Sequence, residues 1–448
     1  MRRFLAAAAA AILLWAQPAA AQSILRDAET EALLNDVSAP LIQAAGLRPR
    51  DVRIALINDD SINAFVAGGQ IVYIHSGLLQ AADNANEVQG VIAHELGHIA
   101  DGHVALQDAA LRPALGITLL SLVLGVAAIA AGSGEAGAGI MAAGQQAALG
   151  KFLAFNRVQE ATADASAIRY LNGAGITGRG MLSFFKKLQA QEFRYSPGEI
   201  DPFMQTHPLS GARIQTMTAD LQASPAWAKP ADPKLQERFR RIKAKLDGYL
   251  LPPPRSLQKY PESDSSIYAH YARAYAYHKG GYPDKADAEA DALVKAEPAD
   301  PYFQEIKGQI LLEAGKPREA LAPLRIAAEG ARGNPLIATT LGHALIATED
   351  RANYPEATRV LRNAVSRDDE NPFAWHQLGT VYELTGDEAR AALATAERAS
   401  MTGDARTAVA RARFAMAGIP QNTPDWIRAQ DIAITGQNEI DDNPKKYK

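Results

Sequence analysis

The sequence predicts a mainly α protein in two parts: an α+β domain with a small β-sheet, then an all-α domain of repeated helix pairs. Three observations carry this. Strand-like alternation and turn residues are confined to about residues 52–74, inside a chain of 448 residues. Long helical patterns follow, and one of them contains His94-Glu95-Leu96-Gly97-His98. Beyond about residue 265, small residues and prolines return at intervals of 34 and 37 residues.

The chain opens like a secretory segment. Arg2-Arg3 precede an apolar run from Phe4 to Trp15, and Ala19-Ala20-Ala21 offers a cleavage site before Gln22, so residues 1–21 read as a signal peptide. The run is short for a membrane anchor. There is no cysteine, which excludes disulfides, thiolate metal ligands and lipidation at a cysteine, and is compatible with an oxidising periplasm. A net charge of −4 without a basic run gives no nucleic-acid signal. The expected location is the periplasm, soluble or peripherally membrane-associated.

Residues 22–250 read as the catalytic unit. Val52 to Ile57 alternate as a half-buried strand, Asn58-Asp59-Asp60 is a turn, and Ser61 to Ala67, Gly68-Gly69 and Gln70 to Ile74 form a hairpin. An ordinary small sheet and an edge that adds an extended peptide, through Asn63 to Val66, are both open readings. Asn84 with Glu87 fits a capping box at the start of the next helix. There His94 and His98 stand at i and i+4, about 40° apart, so both rings can reach one metal. Ile92, Leu96 and Ile99 give the other side an apolar face. Glu95 is placed to take a proton from a water that the metal acidifies. A catalytic metal needs a third protein ligand. In the helix expected over 151–172, ending near Gly173, Glu160 and Asp164 lie one turn apart. Glu160 can complete the site, and Asp164 can fix the tautomer of a ligand histidine. With no thiolate available, one Zn2+ per chain on histidine and carboxylate is expected.

Between these helices, Pro113 through Gly134 carries no charge. Its length suits a membrane span, but a single crossing would separate Glu160 from His94. Residues 113–150 therefore read as a hairpin with possible peripheral membrane contact, lying in the interface or dipping into it, with a buried core hairpin as the other reading. Gly132, Gly134, Gly137 and Gly139 are expected to supply a flexible turn. His207 stands before Pro208, which disfavours helix there.

His94-Glu95-x-x-His98, Glu160-x-x-x-Asp164, and Thr206-His207-Pro208 with Arg213 together resemble the zinc metallopeptidase family of CAAX-prenyl endopeptidases and HtpX-type membrane proteases. Asn63-Ala64-Phe65, Gly68-Gly69 and Ser76-Gly77-Leu78-Leu79 resemble the region before that family's zinc helix. With the secretory start and the repeats, the resemblance is to its periplasmic barrel-assembly-enhancing branch. It implies a gluzincin-like α+β metalloprotease domain with His94, His98 and Glu160 on zinc and Glu95 as the catalytic base. It places His207 at the active site. There the ring would either donate to the tetrahedral intermediate or occupy the open zinc position and hold the enzyme silent, and the second role is the expected one. It implies unfolded or misassembled outer-membrane proteins as substrates and the barrel-assembly machinery as a partner of the repeats. Competing readings are a chaperone or adaptor working through the repeats, and a membrane-embedded quality-control protease. The intact Glu95 argues against a purely structural metal.

Leu251-Pro252-Pro253-Pro254 opens an expected linker over 251–265. Residues 266–418 then read as tetratricopeptide repeats: Gly308, Gly342 and Gly379 recur, as do Pro298, Pro335 and Pro372, and Ala320 and Ala357. Tyr268 to Ala292 resemble a further unit and Asp404 to Ala417 a capping helix. Stacked units predict protein binding. The tail, 419–448, is polar and expected to be poorly ordered.

Overall fold

A computed structural model describes residues 23–130, 133–192, 207–444 and 446. The expected signal peptide and Thr206 lie outside the described residues. The chain divides into two compact units: one holds the residues up to Arg26 and Glu31–Phe239, the other Asp27–Thr30 and Arg240–Lys448. The expected boundary at the proline run is thus displaced into helix α8 (Pro233–Leu250). The cause is local. Arg241 and Lys245 on that helix pair with Glu29 and Asp27, so the second unit starts before the prolines.

The first unit opens with α1 (Ala28–Ala44) and a sheet of β1 (Arg53–Ile57), β2 (Ala64–Ala67) and β3 (Ile71–His75) in the order β1-β3-β2. β1 runs parallel to β3, with Arg53 opposite Ile71 and Ile57 opposite His75. β2 and β3 form the expected hairpin, Ala64 opposite Ile74, turned by Gly68 and Gly69 at φ of 61° and 96°, which favour glycine. β1 is not half-buried as its alternation suggested. Ile54 to Ile57 are all buried, as suits a parallel strand covered on both faces. β2 is an edge.

The helices of this unit are α2 (Ser76–Ala81), α3 (Ala85–Ala100), α4 (His103–Ala130), α5 (Gly134–Gly173), α6 (Arg179–Glu192) and α7 (Gly211–Ala223), followed by the start of α8. α3 is the centre: every residue from Ala85 to His98 is buried. Such a helix needs neighbours on all sides, and two glycines let them close in. A Cβ on Gly90 would lie 2.4 Å from the Met181 backbone of α6, and one on Gly97 would lie 2.9 Å from the Ala163 backbone of α5. Gly97 sits inside the His-Glu-x-x-His run, and Ala163 precedes Asp164. The two backbones are therefore in contact at the candidate site.

α4 and α5 pack as the expected hairpin, but its glycines do different work. Gly137 and Gly139 lie inside α5, and a Cβ on Gly137 would meet the Gly125 carbonyl of α4 at 2.5 Å. The buried-core alternative is overturned, because Leu119, Leu120, Leu122, Val123 and Leu124 are all exposed. Among the described residues no helix is long and apolar enough to cross a membrane.

The second unit stacks helix pairs: α10 (Ile267–Lys279) with α11 (Pro283–Ala296), α12 (Pro301–Glu313) with α13 (Pro317–Gly330), α14 (Pro335–Ala347) with α15 (Tyr354–Arg367), α16 (Pro372–Thr385) with α17 (Glu388–Met401), and α18 (Ala405–Gly418) with α19 (Pro424–Asp442). Asp300, Asn334 and Asn371 cap three of them, each followed by proline at the first helical position. Pro301, not Pro298, is thus the structural counterpart of Pro335 and Pro372. The recurring glycines face the partner helix, Gly308 against Leu324, Gly342 against Leu361 and Gly379 against Ala394. One apolar core runs from Leu311 to Ala394 through successive pairs.

Two expectations fail here. The linker contains a helix, α9 (Pro253–Lys259), because prolines at a helix start cost no hydrogen bond. The tail is ordered as α19. Its Trp426, Ala429, Ile432 and Ala433 pack on α17 and α18 in a narrow stripe hidden within polar sequence.

Candidate metal centre

α3 is fixed at its start before it delivers any ligand. Asn84 accepts from the Glu87 N–H at 3.0 Å, and the Glu87 carboxylate reaches back to the Asp83 N–H rather than to Asn84, a variant of the expected box. Lys187 of α6 pairs with the same carboxylate at 3.0 Å. From this anchored helix His94, Glu95 and His98 project; α5 supplies Glu160 and Asp164; His207 precedes α7, whose Ser210 cap accepts from the Arg213 N–H.

The structure brings His94, His98, Glu160 and His207 together, all buried, with one donor atom each inside a sphere where none is more than 4.8 Å from another. His94 Nε2 is 3.2 Å from His98 Nε2, 3.3 Å from Glu160 Oε2 and 3.2 Å from His207 Nδ1. Glu160 Oε1 is 3.4 Å from His98 Nε2 and 3.1 Å from His207 Nδ1. A four-coordinate ion with bonds of about 2.0–2.1 Å keeps its donors about 3.3 Å apart, so these separations suit the ligand shell of a metal. Ring nitrogens that face each other at such distances repel unless a proton or a cation lies between them.

Glu95 is fully buried, and neither carboxylate oxygen has a hydrogen-bond partner among the described residues. Oε1 stands 3.5 Å from His207 Nε2. An unbonded buried carboxylate is costly to fold, so Glu95 adds nothing to stability through hydrogen bonds.

Asp164 Oδ1 lies 3.0 Å from His94 Nδ1 and receives a two-pronged pair from Arg213, Nε to Oδ2 at 2.8 Å and Nη2 to Oδ1 at 2.9 Å. Arg213 also donates to the Pro208 carbonyl at 2.7 Å and pairs with Glu160 at 3.0 Å. It therefore ties the loop bearing His207 to both α5 carboxylates, a role its sequence position did not reveal. His207 Nε2 donates to the Ala64 carbonyl of β2 at 3.3 Å, which leaves Nδ1 facing the cluster. Asn63 is buried, and its carbonyl accepts from the His75 N–H, while Phe65 stacks on Tyr73.

The charges explain the protonation. Burial opposes a proton on His94, but its hydrogen bonds to Asp164 and Glu160 outweigh that and push it up to about 10. Burial lowers His98. Burial would raise Glu160, but the charge and hydrogen bond of His207 hold it well below the usual carboxylate range. Asp164 is lowered against its burial by His94 and Arg213. A metal entering this cluster displaces protons. Sequence reasoning also missed His103 and Thr162, which lie behind His98.

Donors converging from two helices and a loop, beside a buried unbonded carboxylate, fit a metalloprotease. Residues 28–220 match the model of Peptidase family M48. It is 26% identical over 388 residues to the β-barrel assembly-enhancing protease of Escherichia coli (strain K12), covering 83% of this chain and 75% of that one. It is 25% identical over 409 residues to the protein of that name from Yersinia pestis, covering 88% and 80%. A metalloprotease named LoiP from E. coli K12 is 30% identical over 171 residues, 38% of this chain and 61% of LoiP.

Proposed function

We propose that this protein is a periplasmic zinc endopeptidase that degrades misfolded or stalled outer-membrane proteins, assists their assembly, and is held quiet by His207. The observation that carries it is the convergence of four donor atoms beside the unbonded Glu95. His94, His98 and Glu160 would hold one Zn2+ per chain. Bound there, zinc supplies Lewis acidity to the scissile carbonyl and to a water. Glu95 takes that water's proton and passes it to the leaving amine. Asp164 orients the His94 ring and is itself clamped by Arg213.

His207 acts as the gate. Its Nδ1 stands among the three ligands, and its Nε2–H occupies the Ala64 carbonyl of edge strand β2. An extended substrate that adds to Asn63, Ala64 and Phe65 competes for that carbonyl, so substrate docking and release of the fourth donor are one event. The repeats dock the substrate or the barrel-assembly machinery, in keeping with the names of the relatives. The exposed apolar side chains of α4 support peripheral contact with a membrane.

The test is cleavage of unfolded casein by the His207→Ala variant beside wild type, with Glu95→Gln as the blank. Faster cleavage by His207→Ala is the expected result. Slower cleavage, with wild type active, means that His207 stabilises the transition state and that the gate is wrong.

A further inference from the structure

We infer that His103 is a positioning residue that holds His98, through a neutral relay ending on the helix that bears Glu160. The inference rests on the metal-site reading above. Five residues along an unbroken helix would place His103 about 140° around from His98. Instead α3 ends at Ala100 with Asp101 as its cap, Gly102 turns the chain at φ 69°, and α4 begins at His103. The turn folds His103 back, and its buried ring meets His98 edge to face at 4.9 Å.

The direction of each hydrogen bond follows from the end of the relay. His98 turns Nε2 toward His94 and Glu160, so a metal there takes the Nε2 lone pair. Its Nδ1 then carries the proton. His103 Nδ1 lies 2.9 Å away and accepts it. His103 Nε2 must in turn carry a proton, and it donates to Thr162 Oγ1 at 3.1 Å. The Thr162 hydroxyl donates to the Gln159 carbonyl at 2.9 Å, with the Val158 carbonyl at 3.1 Å. Every group has one role and none is left over. Thr162 lies two residues from Glu160 on α5, so the relay couples the aim of the His98 ring to the helix that carries the third ligand.

The two histidine ligands are therefore held differently. His94 is backed by the ionised, arginine-clamped Asp164, whereas His98 is backed by a neutral imidazole. A carboxylate makes its partner ring a stronger donor; a neutral acceptor fixes the ring's tautomer and orientation without adding charge.

The experiment measures Zn2+ affinity of the purified protein by competition with a chromophoric chelator, for wild type, His103→Ala, His103→Asn, Thr162→Val and His94→Ala. His103→Ala is expected to weaken zinc binding 10- to 100-fold, the range for loss of a group behind a ligand. His103→Asn places Oδ1 where Nδ1 was and should recover most of that loss. Thr162→Val, nearly isosteric, should weaken binding by a smaller factor and stands in if His103→Ala does not fold. If His103→Ala binds as wild type does, or if alanine and asparagine weaken binding equally, the relay is refuted. If wild type and His94→Ala bind zinc equally poorly, the metal-site reading itself has failed.

Discussion

Each unit of this protein buries a cluster of charges, and the two clusters are built on opposite plans. In the second unit Lys245 meets Asp27 at 2.5 Å, Arg241 meets Glu29 at 2.5 Å and Asp300 at 2.7 Å, and the Tyr271 hydroxyl donates to Glu29 at 2.7 Å. Each of these cations faces an anion, and the set closes on itself. In the first unit the Nε2 atoms of His94 and His98 face each other at 3.2 Å, and Glu95 has no hydrogen-bond partner among the described residues. Burial and charge are common to both. What separates a site from a staple is that donors of the same kind point at one another, an arrangement that destabilises the protein alone and pays only when a ligand arrives.

The largest effect that would break this contrast is at Glu95. Glu95→Gln should lower casein cleavage by about 10²- to 10⁴-fold, the usual worth of a general base, with zinc content unchanged and the melting temperature no lower than that of wild type. If the variant keeps wild-type activity in cells, the repeats do the work and the chain acts as a chaperone. Next in size is the metal. Stripping zinc with a chelator should abolish cleavage and lower the melting temperature of wild type, by about 2.7 kcal/mol relative to zinc at a hundredfold excess over Kd. Glu160→Ala should show neither response. An equal response in that variant would place the stabilising ion elsewhere.

Glycine gives a matched pair of predictions across the units. Gly97→Ala pushes a methyl into the Ala163 backbone, whereas Gly342→Ala meets the Leu361 side chain at 2.5 Å. Both should destabilise by about 1–3 kcal/mol, as overpacking does. Only Gly97→Ala should also weaken zinc binding, because α5 carries Glu160 and Asp164 past that point. Equal zinc affinity in the two variants would show that the close approach at Gly97 serves packing alone.

The parts legible in the sequence are those written within one turn or one repeat. His94, Glu95 and His98 share a helix face; Glu160 and Asp164 do too; and the recurring glycines announce the helix pairs. What escaped depends on a break in that periodicity or on distant partners. His103 reaches His98 only because Gly102 turns the chain. Arg213 acquires its role from Asp164 and Pro208, 49 and 5 residues away. The tail helix buries a stripe of alanines too narrow to register in a polar segment. The unit boundary moved into α8 because Asp27 and Glu29, more than 200 residues earlier, pair with its basic residues.

The smallest expected effect tests how completely the second cluster closes. Glu305 is its exception: among the described residues Oε2 has no hydrogen-bond partner, and burial pushes the carboxyl up to about 8 in spite of the attraction of Lys245. Its folded pKa is thus above its unfolded value of 4.5. The sign follows. Stability from the neutral acid is fully present below the unfolded value and is lost as pH rises through about 8. Glu305→Gln stays neutral throughout. Its melting temperature should match wild type near pH 4 and exceed it progressively toward pH 9, by on the order of 1–3 kcal/mol in stability. Scanning calorimetry across that range decides. A difference between the two proteins that does not change with pH would mean that Glu305 ionises without cost, and that the second cluster is as fully paired as its other members indicate.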